Sequence, residues 1–160
     1  MSTTNLDRVQ PGLEPVRKAV TVGCSPERAF EIFTGRITSW WPLDRYSISQ
    51  EKARGCAIEP FTGGEIYETR DDGERFTWGQ VVTWEPPGRL VITWHPGREP
   101  EVAQEVEVLF RATSGGTRVE LEHRGWAKLG EGAGEVREGY EGGWAYVLEE
   151  RFAAACPKAG

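Results

Sequence analysis

Basic residues are scarce in this chain of 160 residues: 19 lysines and arginines stand against 25 acids, giving a formal charge of −6 and a pI near 5.1. Phosphate binding needs a basic stripe, so a nucleic-acid partner is excluded. The cations are interspersed with acids, which also excludes a polybasic membrane patch. Long apolar runs are missing as well. None approaches the ~20 residues of a membrane-spanning helix, and Met1 to Gly12 lacks the apolar core of a signal peptide. The three cysteines, Cys24, Cys56 and Cys156, are odd in number and far apart. That fits neither a metal pair nor a redox dithiol motif, and predicts free thiols in a reducing cytoplasm. Only two histidines are present, His95 and His123, without paired-ligand spacing, so no metal site is expected. No glycine-rich phosphate cradle and no nucleophile elbow occur, and no cofactor is expected.

Turn residues and aromatic rings are plentiful by contrast. The 20 glycines and 10 prolines mark reversals at regular intervals. Alternating segments at 76–85, 89–95, 102–111 and 117–125 are separated by Glu85-Pro86-Pro87-Gly88, His95-Pro96-Gly97 and Ser114-Gly115-Gly116. Each break supplies the fixed φ of proline or the free φ of glycine that a reversal needs, which predicts an antiparallel meander. Upstream, alternation over 16–22 predicts a first strand, and 56–59 and 65–70 predict two more. Ser25-Pro26-Glu27 has the hydroxyl cap, first-turn proline and early acid of a helix start. A second short helix is expected over Ile37–Trp41, and 43–55 is weakly patterned and expected to be loop. From about 133 to 156 the period turns helical, with Val136, Tyr140, Trp144, Val147, Leu148 and Ala155 on one side. A sheet with one apolar face needs such a cover. The fold expected is α+β, in the order β-α-α-β(6)-α, with residues 1–14 a flexible leader and 15–158 a single domain.

Period-two counting assigns the faces. Phe76, Trp78, Gln80, Val82 and Trp84 share one side of the fourth strand; Leu90, Ile92 and Trp94 align in the fifth. Gln104, Val106, Val108 and Phe110 align in the sixth, and Val119, Leu121 and His123 in the last. Glu68 shares its side with Ile66. The inner face is thus apolar with polar exceptions. An unpartnered buried polar group costs about 1–3 kcal/mol, so these residues either satisfy one another or line a ligand-filled cavity. Gly143 falls on the helix stripe between Tyr140 and Trp144, where a missing side chain permits close backbone approach or leaves room for a guest.

Several stretches, in this order, resemble a known family. They are Ser25-Pro26-Glu27-Arg28-Ala29-Phe30, Ile37-Thr38-Ser39-Trp40-Trp41-Pro42, Trp84-Glu85-Pro86-Pro87-Gly88-Arg89-Leu90, Gly116 to Gly125, and Gly142-Gly143-Trp144. Together they span roughly 15–156 and resemble the helix-grip (START-like, SRPBCC, birch-pollen-allergen-like) superfamily. Within it the nearer match is the family of activator of heat-shock-protein-90 ATPase homologues. The resemblance implies a curved seven-stranded sheet gripping a long C-terminal helix, with a cavity between them for a small hydrophobic or amphipathic molecule. The family name also implies a chaperone partner.

Rings with a few convergent polar groups are what a small-molecule pocket requires. The candidate ligand-binding residues are therefore Trp41, Trp78, Gln80, Trp94, Gln104, Phe110, His123, Tyr140, Gly143 and Trp144. The alternative is a cyclase, dehydratase or isomerase in the same pocket, with His123 and Glu68 as acid–base groups and Tyr140 as oxyanion donor. Trp40 and Trp41 form a candidate aromatic lip. Arg151 is a candidate for carboxylate binding or for snorkelling along the apolar stripe. A third alternative, an interaction module, would use the outer sheet face, where Glu105, Glu107, Glu120 and Glu122 oppose Arg111, Arg118 and Arg124. A weak homodimer is compatible with these residues but not required by them.

Overall fold

Every predicted strand forms in the computed structural model, which describes residues 12–156. The leader expected at 1–14 lies largely outside the described residues, as do the last two residues of the expected domain. The strands are β1 (Val16–Val22), β2 (Ala53–Ile58), β3 (Glu65–Arg70), β4 (Arg75–Glu85), β5 (Arg89–Trp94), β6 (Gln104–Thr113) and β7 (Gly116–Arg124). They make one seven-stranded antiparallel sheet in the order β1-β7-β6-β5-β4-β3-β2. Between β1 and β2 lie α1 (Pro26–Gly35) and α2 (Ile37–Trp40). Ser25 caps α1 by accepting from the Arg28 amide, as its sequence signature predicts.

The terminal helix, α3, begins at Ala133–Trp144. It continues as a π-helical stretch, Ala145–Phe152, and closes with Ala153–Ala155. Its buried residues, Val147, Leu148 and Phe152, continue the inward stripe of Trp144. This helix lies in the hollow of the curved sheet, the helix-grip arrangement. Among the described residues, no helix is long and apolar enough to cross a membrane.

The face assignments hold in β6 and β7, where Gln104, Val106, Val108 and Phe110, and Val119, Leu121 and His123, are all buried. They fail in β4. The β3–β4 register slips between the Ile66–Gly79 and Tyr67–Thr77 pairs, and the β4–β5 register slips again between Val81 and Thr83. Each bulge shifts the inward parity by one residue. Trp78 and Val81 therefore point inward, Gln80 lies exposed on the outer side, and Val82 is 43% exposed. Gln80 is corrected from inner-face residue to surface residue. Strict period-two counting could not detect the bulges. Gly79 is the local sign of them, because a Cβ there would land on the Thr93 carbonyl.

The core has two ends. Under α1, Phe30 and Phe33 pack on Phe110, with ring centroids 5.2 and 5.8 Å apart, and Phe30 meets Trp84 at 5.0 Å. Trp40 belongs here too, tilted on Phe33 and edge-on to Phe152, with its indole N–H on the Ile32 carbonyl. Phe110 is thus a core residue beneath α1 and lies away from the cavity described below. Arg151 is exposed and donates to the Trp40 carbonyl from Nε at 3.1 Å. The thiols of Cys24 and Cys156, remote in sequence, sit 3.1 Å apart where the terminal helix ends, and burial pushes the Cys156 thiol up. The other end of the core is built from indoles.

Candidate functional site

Four tryptophans from four elements meet at this second end. Trp41 follows α2, Trp78 comes from β4, Trp94 ends β5 and Trp144 ends the α-helical part of α3. Their ring centroids are separated by 5.3 Å (Trp41–Trp78), 5.5 Å (Trp78–Trp94), 5.5 Å (Trp94–Trp144) and 5.7 Å (Trp41–Trp144). The tilted and edge-to-face contacts are those aromatic quadrupoles favour. Together the rings line a cavity of about 460 Å³, completed by Tyr140, Val136, Gly139, Gly143 and Val147 of the terminal helix. Exposed Arg45, Ile48, Gly97 and Gly139 frame its mouth.

The remaining wall comes from the segment 45–48, inside a stretch expected from the sequence to be unpatterned loop. It is firmly tied. The Trp41 indole N–H donates to the Tyr46 carbonyl at 2.7 Å, and Ser47 Oγ donates to the Leu43 carbonyl and accepts from the Gln50 amide. Glu68 supplies the main anchor. Its carboxylate accepts from the Ile48 amide and the Ser49 amide, each at 2.7 Å, and from the Trp78 indole N–H at 2.6 Å. Three donors compensate a carboxyl group with no solvent exposure. Glu68 therefore holds the loop against Trp78 and lies behind the cavity wall.

His123 is also behind the wall. An indole N–H can only donate, so the Trp144 N–H at 2.9 Å makes His123 Nδ1 an acceptor. The ring proton then sits on Nε2, donated to Gln104 Oε1 at 3.1 Å, and Gln104 Nε2 donates to the Val102 carbonyl at 2.6 Å. This chain closes with a neutral imidazole, and burial pushes the His123 pKa down to about 3. Stacking on Trp126 at 4.0 Å covers the ring. Gln104 and His123 satisfy each other; neither lines the cavity.

Of the ten candidate ligand-binding residues, the structure thus brings Trp41, Trp78, Trp94, Tyr140, Gly143 and Trp144 to the cavity and places Gln80, Gln104, Phe110 and His123 elsewhere. Of the three candidate catalytic residues only Tyr140 reaches the cavity. Its hydroxyl accepts from the Trp94 indole at 3.0 Å and, among the described residues, donates to no protein group. Burial keeps the phenol protonated by raising its pKa, opposed by the Trp94 hydrogen bond and the nearby Arg98 charge. Counting from the sequence missed Arg45, Tyr46 and Ile48. Their one sign is three large apolar side chains, Leu43, Tyr46 and Ile48, among the polar residues just after Trp41-Pro42. A Cβ at Gly143 would sit 3.7 Å from the Tyr46 ring, so the glycine faces this loop across the cavity wall.

Each of the four indole N–H groups is engaged by the protein: Trp41 by Tyr46, Trp78 by Glu68, Trp94 by Tyr140 and Trp144 by His123. The rings consequently present carbon to the cavity. The family model of activator of Hsp90 ATPase homolog 1-like proteins matches residues 23–156. The chain belongs to that family. An anthrahydroquino-γ-pyrone synthase, Txn09, solved as a complex, is 37% identical, with 91% of this chain and 99% of that one covered and a TM-score of 0.63. The Aha1 dimer from Colwellia psychrerythraea is 17% identical, covering 91% and 98%, with a TM-score of 0.63. A Mesorhizobium loti protein is 18% identical, covering 86% and 93%, with a TM-score of 0.64. The last two share the fold. Among curated proteins, none matches this chain.

Proposed function

We propose that the chain binds a small, flat, hydrophobic or amphipathic molecule in the indole-lined cavity. The observation that carries this reading is the combination of about 460 Å³ of space with four tryptophan rings whose N–H groups are all turned into the protein. Such a space is of the size and chemistry that small-molecule sites have. It gains most from a guest that is itself aromatic, since ring contacts add about 0.5–1.5 kcal/mol each beyond area burial. Titration with N-phenyl-1-naphthylamine tests the reading. We expect one saturable site with energy transfer from tryptophan, and at least tenfold weaker binding in Gly143→Leu, whose side chain would occupy the space beside Tyr46. Absence of saturable binding, or binding indifferent to Gly143→Leu, would remove it.

A second reading, a cyclase-type enzyme using the same pocket, is favoured by the 37% identity to a pyrone synthase over nearly both chains. The cavity would then act by orienting a flexible substrate against aromatic walls, with the Tyr140 O–H stabilising charge on a substrate oxygen. The carboxylate of Glu68 and the imidazole of His123 are occupied behind the wall, so Tyr140 is the group to test. Under this reading Tyr140→Phe lowers kcat by about 10²-fold while probe binding stays within a few fold. Equal loss of both would make Tyr140 a packing residue.

A chaperone-docking role through the outer sheet face has weaker support. Arg124 bonds Glu105, Glu107 and Glu122, and Glu120 bridges Arg111 and Arg118, so much of that face's charge is already paired.

A further inference from the structure

The cavity is apolar in its walls and one-sided in its polarity. Among the described residues no carboxylate lines it, and its one ionised lining group is Arg45. This guanidinium lies over the rings of Tyr46, 5.4 Å from the centroid, and Tyr146, 4.9 Å away. Among the described residues it has no ion pair and no side-chain hydrogen bond, Asp44 beside it in sequence included. On the neighbouring helix Glu138 pairs with Arg137, and Glu141 with Arg137 and Lys18; Glu135, Glu149 and Glu150 form no ion pair with Arg45. The Tyr140 hydroxyl has its acceptor side filled by Trp94 and its proton undonated, whereas Ser47 is saturated by Leu43 and Gln50.

Arg45 and Tyr140 therefore offer donors, one at the mouth and one at the wall, and the Tyr46 hydroxyl, also without a partner among the described residues, can donate or accept. In a protein of charge −6 the mouth carries an unpaired cation. Resting on the binding reading above, we infer that the ligand is an aromatic anion: a flat ring system among the indoles, with a carboxylate, sulfonate or ionised phenol directed at Arg45. A guanidinium held by two rings is pre-organised, and its planar fork suits an oxyanion. A cationic guest would find the indole faces but would have to pass the like charge of Arg45 at the mouth.

A matched pair of probes tests this. 1-Anilinonaphthalene-8-sulfonate and N-phenyl-1-naphthylamine share nearly the same ring body; only the first is anionic. On the intact protein both should bind. Arg45→Gln should weaken the sulfonate probe about fivefold, the order of a partly exposed charge pair, and leave the neutral probe within twofold. Arg45→Lys should retain part of the difference. Raising salt should weaken the sulfonate alone. Equal effects of Arg45→Gln on both probes, or none on either, would overturn the inference while leaving the binding reading standing. Failure of both probes on the wild-type protein would sink the binding reading, and this inference with it.

Discussion

His123 is placed on the inner face by period-two counting, and the structure agrees; its chemistry depends on neighbours that counting cannot supply. The Trp144 indole on one nitrogen and Gln104 on the other fix a neutral tautomer. With its pKa pushed down to about 3 from 6.5 by burial, the folded protein stays unprotonated where the unfolded chain takes up a proton. The stability from the neutral ring is complete above pH ~6.5 and is lost as pH falls toward ~3, by up to about 1.4 kcal/mol per pH unit. Urea unfolding should therefore show a loss of about 2 kcal/mol between pH 7 and pH 5. In His123→Gln that slope should vanish. Salt-bridged Glu107, Glu120 and Glu141, whose pKa values lie below 4.5, contribute mainly at more acid pH. An unchanged slope in the variant would place the titrating group elsewhere. Glu68 teaches the same lesson: its inward side was legible from Ile66, but the three N–H donors that fix its role come from a loop with no pattern to read.

At the scale of elements, the turn chemistry was the most informative signal. Proline and glycine breaks located the reversals between β4 and β7 to within about two residues, because backbone geometry is fixed locally. Bulges are set by pairing with a neighbouring strand, and so β4 begins one residue before its expected start while the parity of its faces changes twice. Gly79 marks the place. Gly79→Ala would force Cβ onto the Thr93 carbonyl, and we expect a loss above about 3 kcal/mol in chemical denaturation or failure to fold. A loss under 1 kcal/mol would mean that β4 and β5 can part there at little cost. The terminal helix was legible from its period. Its π-helical turn was not, since a widened turn responds to the surface the helix packs on.

For the molecule as a whole, the sheet, the helix and the tied loop enclose a space that none of them defines alone. The aromatic residues that build it were legible from β4, β5 and α3; the loop wall, and with it Arg45, was not. Indoles fill the deep end of the hollow with their N–H groups satisfied and leave the open end unfilled. The most direct measurement uses the seven tryptophans as reporters in a two-dimensional nitrogen–proton spectrum of the indole region. At saturation with N-phenyl-1-naphthylamine, ring currents should shift the signals of Trp41, Trp78, Trp94 and Trp144, while Trp84, packed at the α1 end, stays in place. Saturable binding that moves Trp84 and leaves those four unmoved would contradict the account.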